Sequence, residues 1–78
     1  MAHKIVKKIY RVEIFASFDS CTEFWEYTAL GNFHTTREGA EKDLEQYKGL
    51  KGYELEKELN GYIGNNLPEI KVYEIEND

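Results

Sequence analysis

The side chains best suited to nucleophilic or metal chemistry are few in this sequence and lie far apart. The chain has one cysteine, Cys21, and two histidines, His3 and His34. A thiol becomes a nucleophile when a nearby cation or helix N-terminus lowers its pKa, and the neighbours of Cys21 are acids and hydroxyl residues. One cysteine and two distant histidines cannot supply four zinc ligands or an internal disulfide. We therefore predict no metal site, no disulfide and no cysteine-based catalysis.

Three alternating glutamates are the remaining candidates for acid–base catalysis. Glu54, Glu56 and Glu58 would line one face if their segment formed a strand. Carboxylates act as general acids or bases when a cleft perturbs their pKa values, and a chain of 78 residues rarely encloses such a cleft. We therefore predict that these side chains face solvent, that the protein is not an enzyme, and that it needs no cofactor.

Residues 31–36, GNFHTT, form the candidate site for a small ligand. They precede a predicted helix, whose first turn has free backbone N–H groups that can bind a phosphate or carboxylate. The side chains that would contact such a ligand are Asn32, His34, Thr35 and Thr36. No glycine-rich fingerprint accompanies them, and helix capping is the commoner use of such a junction. A small-ligand or nucleotide-binding module is therefore the alternative to protein binding.

Two alternating runs make up the first half of the chain. In residues 8–18 one face is apolar, which predicts a half-buried strand whose inner residues are Tyr10, Val12, Ile14, Ala16 and Phe18. A second run begins near Glu23 after a short polar connection, which predicts an antiparallel hairpin. On the core face of this second run we expect Trp25, Tyr27, Ala29 and Phe33. On the opposite face of the hairpin we expect Ile9, Phe15, Phe24 and Leu30, with Glu26.

A helix follows the hairpin. Thr35 lies three residues before Glu38, which is the spacing of a capping box, and Thr36 is the alternative N-cap. An apolar stripe at helical spacing consists of Ala40, Leu44 and Tyr47. Gly49 is placed to end the helix.

The last third of the chain is less clearly patterned. Residues 53–63 fit both a strand and a helix, and the glycines that flank them favour a strand. Pro68 closes a loop before a final strand, IKVYEI. We therefore predict that residues 1–78 form a single α+β domain. Its antiparallel sheet carries a helix on one face, in the order β-β-α-β-β or β-β-α-α-β.

The charge is unevenly distributed and narrows the classes of partner. Residues 1–11 carry four basic side chains and no acid, whereas residues 12–78 hold 6 basic and 15 acidic ones. An acidic body repels phosphates, which argues against direct binding of nucleic acids or anionic membranes. The basic end is expected to pair with acids of a neighbouring strand, such as Glu69, Glu74 or Glu76. No apolar run has the length of a membrane span or the form of a secretory signal, and the single cysteine fits a reducing cytoplasm.

Protein binding is the function that the sequence favours. The expected anchors are the outward apolar residues Phe15, Phe24 and Leu30, beside Glu26. The expected charged contacts come from two acidic sets: Glu38, Glu41, Asp43 and Glu45, then Glu54, Glu56 and Glu58. Such sets suit a basic, nucleic-acid-binding surface on a partner protein. A homodimer formed through the sheet is the other interpretation of the outward apolar residues.

A short, acidic, single-domain α+β chain without catalytic residues resembles the small proteins that bacteriophages and mobile elements encode to block host or defence machinery, anti-CRISPR proteins among them. The resemblance rests on length, composition and predicted fold. It implies a non-enzymatic inhibitor whose acidic faces imitate nucleic acid.

Overall fold

β-strands lie at both ends of the described chain, and two helices lie between them. The computed structural model describes residues 5–18 and 24–77. The elements are β1 (Ile5–Ala16), β2 (Glu26–Ala29), α1 (Arg37–Lys48), α2 (Gly52–Leu59) and β3 (Glu69–Asn77). This confirms the predicted α+β fold, and of the two predicted element orders the structure has β-β-α-α-β. The predictions for His3 and Cys21 fall outside the described residues.

Within the described residues the sheet has three strands in the order β2-β1-β3, and both pairings are antiparallel. β1 is the central strand, with 12 residues, and its side chains alternate between apolar and polar from Tyr10 to Ile14. Phe15 lies opposite Tyr27 of β2, and Ile9 lies opposite Tyr73 of β3. Lys8 lies opposite Glu74, which is the basic–acidic pairing expected for this end of the chain. The predicted hairpin and the predicted last strand are thus confirmed.

The core lies between the two helices and one face of the sheet. Its buried residues are Val12, Ile14, Ala16, Leu30, Ala40, Leu55 and Ile63. The first three occupy alternate positions of β1, as predicted, while α1 and α2 contribute one fully or nearly buried side chain each. Because alternate strand residues point to the same side, both helices pack on the same face of the sheet.

The prediction of which β2 side chains face the core was wrong. Residues directly opposite each other in an antiparallel pair share a face, so Tyr27 lies on the same side as Phe15, away from the core. Leu30, predicted to face outward, is 7% exposed and packs in the core. β2 ends at Ala29, and the next N–H, that of Leu30, donates to the Val12 carbonyl at 2.8 Å. This pairing fixes the face of every β2 side chain, because a shift of one residue would exchange the two faces.

The preference for a strand over residues 53–63 was also wrong. Residues Gly52–Leu59 form α2, with Leu55 buried against the core. The helix ends at Asn60, whose φ of 57° lies in the left-handed region that terminates helices. The helix propensity of Leu, Glu and Lys therefore prevails here over the flanking glycines.

α1 begins and ends close to the predicted positions. Thr36 is the N-cap, and its hydroxyl accepts a hydrogen bond from the Gly39 N–H at 3.2 Å. The cap is therefore Thr36, the alternative, rather than Thr35. Gly49 ends the helix as predicted, and its N–H donates to the Tyr47 carbonyl. These caps set the first and last residues of α1.

Candidate functional site

One face of the sheet carries both helices, and the other carries a layer of aromatic and charged side chains. Neither α1 nor α2 packs on this second face, and no other element in residues 5–18 and 24–77 covers it. The side chains that form this layer are Arg11, Glu13, Phe15, Trp25, Tyr27, Phe33, Glu69, Lys71 and Tyr73. We name this layer the open sheet face.

The aromatic rings of the open sheet face contact one another in two groups. The centroid of the Phe15 ring lies 5.8 Å from that of Trp25, with the rings nearly parallel, and 5.0 Å from that of Tyr27. Phe33 and Tyr73 meet edge to face at 5.9 Å. Tyr27 is 50% exposed and Phe33 is 51% exposed, so the packing within each group leaves about half of each of these residues in contact with water. Rings held in place by their neighbours, yet half exposed, lose little entropy when a partner covers them.

Two cations lie over these rings. The Arg11 guanidinium carbon is 4.2 Å from the centroid of the Phe33 ring, and the Lys71 ammonium is 3.9 Å from that of Tyr27. Both distances suit a cation–π interaction. Lys71 also donates to Glu69 Oε1 at 3.1 Å, and this hydrogen bond, with the contact to Tyr27, raises the pKa of Lys71. The ring faces are thus partly occupied by the protein's own cations.

Glu13 is the buried charged residue at the centre of the open sheet face. Its exposed fraction is 0%, and its Oε2 accepts hydrogen bonds from Arg11 Nε at 2.9 Å, Arg11 Nη2 at 2.8 Å and the Tyr73 hydroxyl at 2.6 Å. The hydrogen bond to Glu13 is the main cause of the raised pKa of both Arg11 and Tyr73. The other oxygen, Oε1, is buried without a hydrogen-bond partner among the described residues. A buried carboxylate with hydrogen bonds to one of its two oxygens reduces the stability of the fold.

The charges on this face form two rows. Arg11 lies directly opposite Lys71, and Glu13 lies directly opposite Glu69. The ion pairs therefore run along each strand, from Arg11 to Glu13 and from Lys71 to Glu69, while like charges face each other across the strands. Like charges directly opposite are unfavourable in a sheet. The result is a positive row towards one end of the face and a negative row towards the other.

A cleft of about 440 Å³ adjoins the negative row. It is lined by Phe15, Tyr27, residues 65–68 and Glu69. The loop that forms its far wall is tied to the sheet, because the Asn66 side-chain amide donates to the Phe15 carbonyl at 3.0 Å. The cleft therefore combines an aromatic wall, a carboxylate and amide side chains.

The anchor residues predicted from the sequence are not brought together. Phe15 lies on the open sheet face, and Phe24 is 72% exposed. Leu30 is in the core, and Glu26 lies opposite Ala16, on the side that faces the helices. The alternation predicted that Trp25 and Tyr27 face the core. They lie instead on the open sheet face, where Phe24 and Leu30 were expected. Glu13 and Tyr73 were missed, because an outward acid on a strand ordinarily faces solvent.

The two acidic sets serve partly to hold the fold together. Four of the seven acids accept hydrogen bonds within the protein: Asp43 pairs with His34 at 2.6 Å, Glu45 accepts from Lys48 Nζ at 3.3 Å, Glu54 accepts from the Lys51 N–H at 3.3 Å, and Glu56 accepts from the Ile63 N–H at 3.0 Å. The acids that are exposed at the surface are Glu38, Glu41, Glu45 and Glu58. Residues 37–59 also contain five basic side chains beside their seven acids, so the helical surface is mixed in charge.

The candidate ligand junction at residues 31–36 is likewise used by the fold. The His34 backbone exchanges two hydrogen bonds of 2.8 Å with Tyr10, and its ring packs against Gly39 while bonded to Asp43. Thr36 caps α1. The two remaining side chains, Asn32 and Thr35, are exposed. His34 and Asp43 thus connect the start of the helical layer to the sheet.

Other candidate chemistry is limited within the described residues. No group of three or more His, Cys, Asp or Glu side chains in residues 5–18 and 24–77 is arranged to hold a metal ion. In the same part of the chain, no helix has the length and apolar character needed to cross a membrane. Comparisons with protein-family models, with curated proteins and with solved structures gave no match to this chain.

Proposed function

We propose that the protein is a non-enzymatic protein-binding domain that contacts its partner through the open sheet face. The observation that carries the proposal is the layer of half-exposed rings on a sheet face that no described helix covers. Exposed patches of apolar side chains mark interaction sites. Tyrosine, tryptophan, phenylalanine and arginine are also the residues enriched at protein interfaces, where a few of them supply most of the binding energy.

The same face suits a protein better than a nucleic acid. Bases stack on free ring faces, whereas Arg11 and Lys71 lie over the rings of Phe33 and Tyr27. The carboxylates of Glu13 and Glu69 lie within the same surface and oppose a phosphate backbone. An oligonucleotide is therefore the control ligand in the experiment below.

An inhibitory role, which the resemblance to phage-encoded proteins implies, is part of the proposal. In it, the open sheet face supplies the contact energy, and the exposed glutamates of the helices, Glu38, Glu41, Glu45 and Glu58, add electrostatic attraction to a basic target. Their mixture with basic residues supports attraction at long range rather than close imitation of a phosphate backbone. The expected signature is an association rate that falls as salt is added.

The experiment is a selection of random displayed peptides on the immobilised protein. The test variant is Tyr27→Glu with Phe33→Glu, which places charges at two half-exposed positions without disturbing the core. The control is Tyr53→Glu, because Tyr53 is an exposed aromatic residue, at 67%, that lies on α2 and outside the open sheet face. We expect the selected peptides to bind the wild type and the control and to lose at least tenfold in affinity for the test variant.

Three results would contradict the proposal. Peptides that bind the test variant as tightly as the wild type would place the contact outside the open sheet face. Failure to select any peptide would contradict the proposal that the protein binds other proteins. Tighter binding of a single-stranded oligonucleotide than of any peptide would reassign the face to nucleic acid. Light scattering across a dilution series completes the experiment, since a wild-type dimer abolished by the test variant would identify the partner as a second copy.

A further inference from the structure

We propose that the cleft beside Tyr27 takes a basic side chain, lysine or arginine, from the partner protein. The inference rests on the proposed function and gives the chemistry of one of its contacts. The cleft, of about 440 Å³, lies between the rings of Phe15 and Tyr27 and the loop of residues 65–68, with Glu69 at its rim.

The protein itself shows that two of these residues hold an ammonium group. The Lys71 ammonium lies 3.9 Å above the centroid of the Tyr27 ring and 3.1 Å from Glu69 Oε1. An aromatic face and a carboxylate, both in contact with one cation, are groups that proteins use to recognise cationic ligands. The pair therefore has the geometry for a cation before any partner arrives.

The negative row beside the cleft consists of two carboxylates with one contacting cation each, and Glu69 is the charged side chain that lines the cleft. Glu13 and Glu69 lie directly opposite each other, and Glu13 Oε1 is buried without a hydrogen-bond partner among the described residues. Arg11 contacts only the Oε2 atom of Glu13, and Lys71 contacts Glu69. A further cation near this row would relieve the repulsion between the carboxylates. The charge pattern thus favours a basic guest over an acidic or neutral one.

The shape and lining of the cleft fit a long side chain. Its aromatic wall can cover the aliphatic stem of a lysine or arginine, as ring surfaces do for such side chains elsewhere. The amide side chains of Asn65 and Asn66 line the same cleft as Glu69. Arginine, with five N–H donors, could use a carboxylate and amide oxygens together.

The test is a titration of ¹⁵N-labelled protein with the peptide acetyl-Gly-Gly-Arg-Gly-Gly-amide, followed by amide chemical shifts. The comparison peptide carries citrulline, which has the shape of arginine without the charge. We expect saturable shifts at Tyr27, Asn66 and Glu69. We expect citrulline to bind about two- to fivefold more weakly, which is the range for one exposed cation–π or ion-pair contact.

Two pairs of variants sharpen the test. Glu69→Gln should weaken the arginine peptide about two- to fivefold, while Glu58→Gln, an exposed acid on α2, should leave it unchanged. Lys71→Met removes the competing internal cation and should tighten binding, whereas Lys42→Met on α1 removes the same charge at a distance and should not. A general attraction to the acidic protein would give equal effects within each pair.

The inference is overturned if citrulline binds as tightly as arginine, if no saturable shift is seen, or if the shifts lie outside the cleft. It is equally overturned if Lys71→Met and Lys42→Met have the same effect. These results leave the proposed function standing, provided that selected peptides still require Tyr27 and Phe33. If selected peptides bound without Tyr27 and Phe33, the proposed function would be contradicted as well.

Discussion

Replacing Arg11 should destabilise the protein more than replacing Glu13, although the two side chains form one ion pair. The reason is their unequal burial: Glu13 is fully buried, while the Arg11 side chain is 25% exposed. When Arg11 is removed, the carboxylate stays in the interior with the Tyr73 hydroxyl as its remaining donor. When Glu13 is removed, both Arg11 and Tyr73 can turn to water.

The magnitudes follow from these contacts. Removing one partner of a buried ion pair costs about 3–5 kcal/mol, and the partial exposure of Arg11 places Arg11→Met near 3 kcal/mol. Glu13→Met loses the hydrogen bonds but also removes the unpaired Oε1, so we expect a cost of about 1 kcal/mol. The difference of about 2 kcal/mol corresponds to a factor of about 30 in the unfolding equilibrium constant.

The assay is urea unfolding followed by tryptophan fluorescence and by circular dichroism. With a slope of about 1 kcal/mol per molar urea for a domain of this size, the two midpoints should differ by about 2 M. The control is Arg37→Met, which removes an exposed ion pair with Glu41 and should change stability by less than about 0.5 kcal/mol. If Glu13→Met costs as much as Arg11→Met, or more, the reasoning from burial is refuted.

Three further predictions concern the helix junction, the core and the pH dependence. Gly39→Ala should destabilise the protein, because a Cβ at this position would lie 2.6 Å from His34 Nδ1. When His34 is already replaced by Ala, the same change should stabilise the protein by about 0.5–1 kcal/mol. Calorimetry of the wild type, the two single variants and the double variant measures both effects, and a Gly39→Ala effect of the same sign in both backgrounds would contradict the prediction. Leu30→Ala should cost about 2–5 kcal/mol and Phe24→Ala less than about 0.5 kcal/mol in urea unfolding, and equal costs would refute the assigned faces. Because the hydrogen bond to the buried glutamate and burial raise the pKa of Tyr73, its stabilising contribution is present below the unfolded-state pKa of about 10 and is lost as pH rises through the folded-state pKa. Tyr73→Phe should therefore lose less stability than the wild type between about pH 9 and pH 12, and identical losses in urea unfolding would oppose this assignment.

The architecture could be predicted from the sequence wherever one element carries its own signal. The alternation in β1 identified Val12, Ile14 and Ala16 as core residues, and the threonines and Gly49 bounded α1. These signals are local, since they depend on residues within a few positions of one another. The same reasoning failed at α2, where a short segment satisfies both periodicities.

The open sheet face could not be predicted, because it depends on which residues pair across the sheet. Trp25 and Tyr27 alternate as core residues do, and only the pairing of Phe15 with Tyr27 places them on the outer face. Glu13 accepts a hydrogen bond from Tyr73, which lies 60 positions away in the sequence. The closest sequence signal was the i, i+2 spacing of Arg11 and Glu13, which also occurs in ordinary solvent-facing strands.

The measurement that tests the central claim most directly is an amide chemical-shift map of the ¹⁵N-labelled protein with the tightest peptide from the selection. Binding at the open sheet face predicts the largest shifts at Phe15, Tyr27, Phe33 and Tyr73, with the solvent-facing residues of α1 and α2 unchanged. Largest shifts on the two helices, with the open sheet face unchanged, would contradict the account.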